Sequence, residues 1–297
     1  MVLGKAVRAA TALAMAAAVG FGGLAATAQD AEAADGKSDP PVYFVHGYGK
    51  EHAKDCGKTW KNAVNHFKDE KYGGSLKTVG YYDGDTNCDV TIGGGDADTD
   101  TRIKNIAKDF ANYLYDHHTK KGESVDVVAH SMGGLITRVA LLGSAKGWDG
   151  FPKKLKVGDV VTLGTPHQGV KCDGKCSGNT QWKSMDPDSE FMDTLDAPKN
   201  RLDEKWAQST DWTLVGSNDD ETVSGDSAID KDRHADHKLL YRKGGDYKVD
   251  HSGIRSFYKG KYNLKYWHAD TGKSKTTKNG WYPVKTAHQA IAKNGDW

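Results

Sequence analysis

The chain alternates between short apolar runs and longer segments in which apolar residues recur with the period of a helix. The runs are rich in Val, Leu and Tyr and are followed by Gly, His, Ser or acidic residues, which is typical of buried strands that end at a turn. They predict strands over 41–45, 78–82, 125–129, 157–163, 212–215 and 239–242.

The segments between these runs predict helices. Residues 101–121 follow the helical period, with Asp100 placed to cap the first turn, and 135–142 form the buried stripe of another helix. Strands that alternate with helices indicate βαβ units. We therefore expect an α/β protein with a mostly parallel sheet and helices on both faces.

Two later regions lack this regular alternation. Residues 171–211 are polar without a clean period, and we expect a cap or loop segment with helix and loop over one edge of the sheet. The aromatic, basic C-terminal tail, 262–297, predicts a hairpin followed by a helix near 286–293.

The N-terminal residues differ from the rest of the chain. Lys5 and Arg8 precede an uncharged stretch rich in Ala, Leu, Val and Gly that leads to the A-x-A pattern at 26–28, as in a secretory signal peptide. We expect 1–28 to be this signal peptide, 29–40 the mature N-terminal segment and 41–297 a single domain. Because no later run has the roughly 20 apolar residues of a membrane span, we expect a secreted, extracellular protein.

The charges of the chain nearly cancel. There are 41 Lys and Arg against 40 Asp and Glu, and cleavage after Ala28 would remove two basic residues and no acidic one. This balance gives no electrostatic reason to expect nucleic acid or an anionic surface as a partner.

Four cysteines in an exported chain predict two disulfides. The Asp-Gly turn at 173–174 can bring Cys172 and Cys176 together, which leaves Cys56 to pair with Cys88. A zinc site is the alternative, but structural zinc usually requires closer C-x₂-C spacing, and exported thiols oxidise.

The stretch VDVVAHSMGG at 125–134 predicts a strand that turns sharply into a helix at Ser131. Such a bend requires small residues two positions before and after it, and these are Ala129 and Gly133. This is the pattern of a nucleophile elbow, which exposes a serine hydroxyl at the amino end of a helix. An incidental serine in a glycine-rich turn is the alternative, since S-x-G occurs often by chance.

A serine that attacks an ester carbonyl needs amide donors for the oxyanion. The N–H of Met132 can be one donor, and we assign the second to the N–H of Tyr48 in the HGYG turn that follows the first strand. An ordinary turn at a strand end is the alternative for this second segment.

Three motifs resemble the α/β-hydrolase superfamily, namely PVYFVHGYG at 41–49, AHSMGG at 129–134 and LGTPHQG at 163–169. They are most similar to small secreted bacterial lipases and esterases, including the Bacillus type with alanine at the first elbow position. The resemblance implies an α/β-hydrolase fold over about 40–255 and a serine, acid and histidine triad in that order along the chain.

The resemblance selects His251 as the base, because VDHSGI matches the H-x-G pattern around the catalytic histidine of those lipases. We expect His130 to be packing or pocket wall and His167 to lie in a strand-end turn that shapes the cleft. His234 and His237 lie in a charged stretch and are expected on a solvated surface.

The acid is expected in SNDDETV at 217–223, where the spacing to Val223 resembles the D-x-x-V arrangement of related lipases. This selects Asp220, with Asp219 as the alternative acid; a solvated acidic loop is the non-catalytic explanation. Asp96, Asp98 and Asp100 imitate a calcium loop, but Thr101 and Ala107 occupy its glycine and glutamate positions, so we expect no metal.

These features together predict a secreted serine hydrolase that cleaves carboxylic esters of the lipase or esterase kind, acting on acylglycerols or other acyl esters through an acyl-enzyme. The alternatives are a phospholipase and a non-catalytic binding protein on the same fold. We expect a monomer with a small-molecule or lipid ester as substrate, no cofactor, no nucleic acid and no stable membrane insertion.

Overall fold

The computed structural model describes residues 39–49, 54–172 and 176–293. The predicted signal peptide, 1–28, lies outside these residues, as does most of the segment 29–40. The described residues belong to one compact unit. The division into a signal peptide, an N-terminal segment and one domain therefore stays a prediction.

Nine strands of the described residues form one sheet in the order β3-β2-β1-β4-β5-β6-β7-β8-β9. Strands β1 to β7 pair in parallel, and β8 and β9 continue the sheet antiparallel. They are β1 (Val42–Val45), β2 (Leu76–Gly80), β3 (Val90–Thr91), β4 (Val125–His130), β5 (Val157–Leu163), β6 (Asp211–Ser217), β7 (His237–Arg242), β8 (Tyr262–His268) and β9 (Lys273–Gly280).

Helices cover both faces of this sheet. They are α1 (Cys56–Asp69), α2 (Ile103–His117), α3 (Met132–Lys146), α4 (Thr180–Ser184), α5 (Glu190–Asp196), α6 (Gly225–Ala228) and α7 (Pro283–Ala292). Phe110 of α2 and Leu135 of α3 belong to the core on one face, and Trp60 of α1 and Val284 of α7 to the core on the other. Because both faces are covered, every residue of β1 and β4 is buried. The predicted fold class, an α/β-hydrolase fold with a mostly parallel sheet, is confirmed.

The predicted strands are confirmed, and their ends differ by a few residues. The second strand ends at Gly80 rather than at Tyr82. Tyr81 and Tyr82 leave the strand because their amides donate to the carboxylate of Asp85, at 2.8 and 3.0 Å.

The predicted cap of α2 by Asp100 is wrong. The helix begins at Ile103, and Arg102 stands at its N-cap without a side-chain hydrogen bond. The carboxylate of Asp98 accepts from the amides of Asp100 and Thr101 and closes a turn before the helix. Asp100 instead accepts from the backbone and side chain of Thr180, so it connects the start of α2 to α4.

The predicted hairpin and helix of the tail are confirmed as β8, β9 and α7, although α7 begins at Pro283. The expected solvated position of His237 is wrong. Its ring is buried between His268, at 2.6 Å, and Asp211, at 3.2 Å, because β8 pairs with β7 and covers it. His234 is exposed, as expected.

Two carboxylates are buried near the amino ends of the central strands. The side chain of Asp126 in β4 accepts from the amide of Asp159 in β5 at 3.0 Å. Burial is the largest cause that raises the pKa of Asp126 to about 6. Burial, followed by the negative charges of Asp126, Asp211 and Asp236, raises the pKa of Asp159 to about 8. Asp159 is therefore protonated in the folded protein at neutral pH.

Replacing Asp159 with Asn is expected to flatten the pH dependence of stability. An unfolded aspartate has a pKa of about 3.9. Between that pH and about 8 the folded state keeps a proton on Asp159 that the unfolded state has lost. The free energy of unfolding therefore falls as the pH rises through this range, by on the order of a few kcal/mol. Urea unfolding of wild type and Asp159→Asn between pH 5 and pH 8.5 measures this effect. The exposed Asp149→Asn is the control and should retain the wild-type slope. An equal slope in Asp159→Asn would refute the assignment.

Candidate active site

The turn between β4 and α3 holds Ser131 in an unfavourable backbone conformation. Its φ is 55° and its ψ is −130°, which a residue with a Cβ rarely adopts and which costs about 1–3 kcal/mol. Gly133 permits the turn, because a Cβ there would lie 2.4 Å from the carbonyl oxygen of Val45 and 2.5 Å from that of His46. The structure therefore contains the predicted elbow, with Ser131 at its apex.

Ser131, His251 and Asp220 lie together at the carboxyl ends of the parallel strands. The Nε2 of His251 lies 2.9 Å from Ser131 Oγ, and its Nδ1 lies 2.7 Å from Asp220 Oδ2. Ser131 is only 6% exposed, and the carboxylate of Asp220 is buried. Since a buried carboxylate accepts from Nδ1, the Nε2 of the neutral ring is left as the acceptor that faces the serine hydroxyl.

Asp220 rather than Asp219 is the carboxylate that contacts His251. Its other oxygen, Oδ1, accepts from the amides of Thr222 and Val223 at 2.8 and 2.9 Å. These two bonds fix the carboxylate and direct Oδ2 toward the imidazole. Asp219 is half-buried, and its amide donates to the hydroxyl of Ser217.

His130 makes a contact that the sequence analysis missed. It is buried, and its Nε2 lies 2.6 Å from the backbone oxygen of His251, with the two rings 4.7 Å apart. Burial is the main cause that lowers the pKa of His130 well below its usual value, and the nearby His251 and Arg255 add to it. The ring is therefore neutral and donates from Nε2 to that carbonyl, which ties the loop of His251 to the elbow.

His167 lies behind α3 in a buried polar cluster. Its Nε2 is 3.0 Å from Thr162 Oγ1 and its Nδ1 is 3.4 Å from the guanidinium of Arg138. Arg138 also donates to the backbone of Leu195 and lies 3.5 Å from Asp230. Burial and the nearby Arg138 lower the pKa of His167 well below its usual value. No local sequence pattern predicts this cluster, because its members come from distant segments.

The loop after β1 lies directly against the serine. A Cβ built on Gly47 would lie 2.6 Å from Ser131 Cβ and 3.1 Å from its Oγ, so only glycine permits this approach. The ring of Tyr48 contacts Trp182, and its hydroxyl accepts from Asn179 Nδ2 at 2.6 Å. Met132 is the first residue of α3, and helix geometry leaves its amide without an acceptor inside the helix. The oxyanion role of the Tyr48 and Met132 amides stays a prediction.

Both expected disulfides are present. Cys56–Cys88 joins the start of α1 to the loop after β2, and Cys172–Cys176 closes a short loop before α4. Cys172, Cys176 and Asp186 lie close enough together to resemble a ligand set, but the two sulfurs are bonded to each other. Asp186 instead accepts from the amide of Cys176 at 2.7 Å.

No helix of the described residues combines the length and the apolar character that crossing a bilayer requires.

The sequence profile of the PGAP1-like alpha/beta domain matches residues 37–189. Lipase B of Aspergillus fumigatus is 17% identical with a TM-score of 0.50, over 73% of this chain and 49% of its own. The mature lipase BlEst2 of Bacillus licheniformis is 18% identical with a TM-score of 0.48, over 74% of this chain and 87% of its own. None of the curated protein sequences matches the chain. At such identities the similarity to these lipases concerns the fold alone.

Replacing Gly133 with Ala is expected to destabilise the elbow. The added Cβ would meet two backbone oxygens, which cannot move aside cheaply, so we expect a loss of about 1–3 kcal/mol in the free energy of unfolding. Gly57→Ala in α1 is the matched control, since its Cβ would find its nearest neighbour at 3.4 Å and stability should stay equal or rise. Denaturant unfolding compares the two, and equal stability of both variants would contradict this description of the elbow.

Proposed function

Because this chain belongs to the PGAP1-like alpha/beta domain family, we propose that it is a serine hydrolase that cleaves carboxylic esters through an acyl-enzyme. The observation that carries the proposal is the continuous line of hydrogen bonds from Ser131 through His251 to Asp220. A nucleophile, a base and an orienting carboxylate in this arrangement are what acyl transfer by serine requires.

In the proposed reaction, Ser131 Oγ attacks the ester carbonyl carbon while its proton passes to His251 Nε2. The tetrahedral intermediate collapses as the bond to the alcohol oxygen breaks, and His251 gives its proton to the leaving alcohol. Water then attacks the acyl-enzyme, with His251 again accepting the proton, and the acid is released. Asp220 holds the Nδ1–H of His251 and stabilises the imidazolium that forms in each half of the reaction.

The developing oxyanion needs donors at the same place. The amide of Met132 is suitable, because it lies at the positive end of α3 directly after the nucleophile. The second proposed donor is the amide of Tyr48, in the loop whose Gly47 abuts Ser131. Preorganised donors of this kind lower the barrier without reorganisation during the reaction.

Dispersed or short-acyl esters are the proposed substrates, rather than the surface of bulk lipid. A protein that works at a lipid surface usually presents a contiguous apolar patch. Among the described residues the exposed large hydrophobic side chains are two tyrosines, Tyr247 and Tyr258, which are 45% and 54% exposed. The 176–211 segment beside the site contributes no such residue.

Secretion is part of the proposal. The signal-like pattern at 1–28 supports it, and the two disulfides are of the kind that persists in oxidising compartments.

Wild-type protein is expected to react with a fluorophosphonate probe and to hydrolyse p-nitrophenyl butyrate, whereas Ser131→Ala should do neither. The probe forms a covalent bond to an activated serine, and mass spectrometry of the digested adduct should place it on Ser131. The folded state of Ser131→Ala is checked by thermal unfolding. A folded wild type that neither reacts nor hydrolyses would overturn the proposed function.

Asp220→Asn is expected to lower kcat roughly 10⁴-fold, since an amide at this position favours the wrong tautomer of the histidine. Asp219→Asn is the matched control, because this adjacent carboxylate is not the one that contacts His251. Steady-state kinetics should leave Asp219→Asn close to wild type. If Asp219→Asn lowers kcat strongly and Asp220→Asn does not, the acid is Asp219.

A further inference from the structure

The loop after β2, residues 81–88, holds both ends of the connection from β1 to α1. The side chain of Asp85 accepts from His46 Nε2 at 2.9 Å, directly after β1, and from the amide of Lys54 at 2.6 Å, just before α1. Cys88 is joined to Cys56 at the start of α1. The segment that carries Gly47 and Tyr48 is therefore held from outside by one neighbouring loop.

Asp85 and His46 form a buried hydrogen-bonded pair. The Nδ1 of His46 lies 2.9 Å from the carbonyl oxygen of Gly47, and its Nε2 faces the Asp85 carboxylate. Each ring nitrogen of His46 therefore faces an oxygen that accepts hydrogen bonds. Burial raises the pKa of Asp85, but hydrogen bonding to His46, the charge of its ring and the amides of Tyr81 and Tyr82 outweigh burial and leave this pKa below its usual value.

Tyr81 binds the same loop through its hydroxyl. The buried phenol donates to the carbonyl oxygens of His46 and Gly47, at 2.9 and 3.0 Å, and its ring stacks on His46 with centroids 4.3 Å apart. Two donors, Tyr81 Oη and His46 Nδ1, therefore fix the direction of the Gly47 carbonyl.

The direction of this carbonyl determines the direction of the next amide. In a trans peptide unit the C=O of one residue and the N–H of the following residue point in opposite directions. With the oxygen of Gly47 held toward Tyr81, the N–H of Tyr48 points away from Tyr81. The same peptide borders the nucleophile, since the Cβ position of Gly47 lies 3.1 Å from Ser131 Oγ.

We propose that Tyr81 and Asp85 are positioning residues that, through His46 and Gly47, aim the amide of Tyr48 at the oxyanion of the transition state. This inference rests on the proposed function. Neither side chain needs to touch the substrate, because their effect is transmitted by the peptide that they hold.

A positioning role differs measurably from a merely structural one. An oxyanion donor acts on the transition state and not on the bound ester, so misaligning it lowers kcat and leaves KM unchanged. Loss of a whole donor costs about 10²–10³ in kcat, and we expect misalignment to cost about 10-fold or more. A variant that only loosens the fold would lose active protein without changing kcat per active site.

The test compares Tyr81→Phe with Tyr241→Phe. Tyr241 is equally buried, and its hydroxyl also donates to a backbone oxygen, that of Trp281, but on β7 and outside this loop. Active sites are counted with the fluorophosphonate, and kcat and KM are then measured with p-nitrophenyl butyrate. We expect kcat to fall in Tyr81→Phe alone, with KM unchanged in both variants.

An alkyl trifluoromethyl ketone provides a second readout. Ser131 Oγ adds to its carbonyl and the proton passes to His251, so the hemiketal carries an oxyanion that needs the same donors. Its inhibition constant should rise in Tyr81→Phe by the factor by which kcat falls. Asp85→Asn should show the same pattern more strongly, and Tyr81→Phe decides the question if Asp85→Asn does not fold.

The inference would be overturned if Tyr81→Phe had the same kcat as wild type, or if its loss of activity were fully explained by fewer active sites. Either result would leave the proposed function intact. A wild type that does not react with the fluorophosphonate would instead remove the proposed function itself.

Discussion

The site depends on a main-chain bend that is unfavourable in isolation and that the surrounding core holds in place. Ser131 has a positive φ of 55°, and the strain persists because the elements on both sides cannot relax. β4 is buried at every residue, and α3 is buried from Met132 to Ser144. Gly133 lets the helix approach the carbonyls after β1, and a Cβ on Gly134 would lie 2.0 Å from the hydroxyl of Thr165. The core on both sides therefore maintains the conformation that holds the serine oxygen beside His251.

The parallel sheet brings the other site residues to this bend. Asp220 follows β6 and His251 follows β7, and parallel strands place their carboxyl ends at one edge of the sheet. His251 is 120 positions from Ser131 in sequence, yet their side chains lie at hydrogen-bond distance. Strands buried on both faces have a strongly specified register, since a shift by one residue would move polar groups into the core. The distances between the side chains of the site therefore depend on the fixed register of the sheet.

The buried ionisable side chains around the site differ from a buried carboxylate at the amino edge of the sheet. At the carboxyl edge they are paired: His46 with Asp85, His130 with the carbonyl of His251, and His251 with Asp220. At the amino edge Asp159 has an oxygen without a hydrogen-bond partner among the described residues, and its pKa is raised to about 8. Paired groups orient one another, whereas the unpaired carboxylate avoids the cost of burial by binding a proton. Hydrogen bonds therefore fix the directions of the ionisable side chains around the site.

Local periodicity and small residues at a bend predicted the α/β class, most strands, the helices α2, α3 and α7, the hairpin of the tail and the elbow at Ser131. The family resemblance pointed to His251 and to Asp220, with Asp219 as the alternative acid. The orientation of Asp220 toward the ring depends on the fold, since the amides of Thr222 and Val223 direct its carboxylate. The role of Asp100 at α4, the burial of His237 and the contacts of His130 and Tyr81 likewise depended on segments distant in the chain. A sequence pattern reports neighbours along the chain, whereas these interactions arise from packing across the sheet.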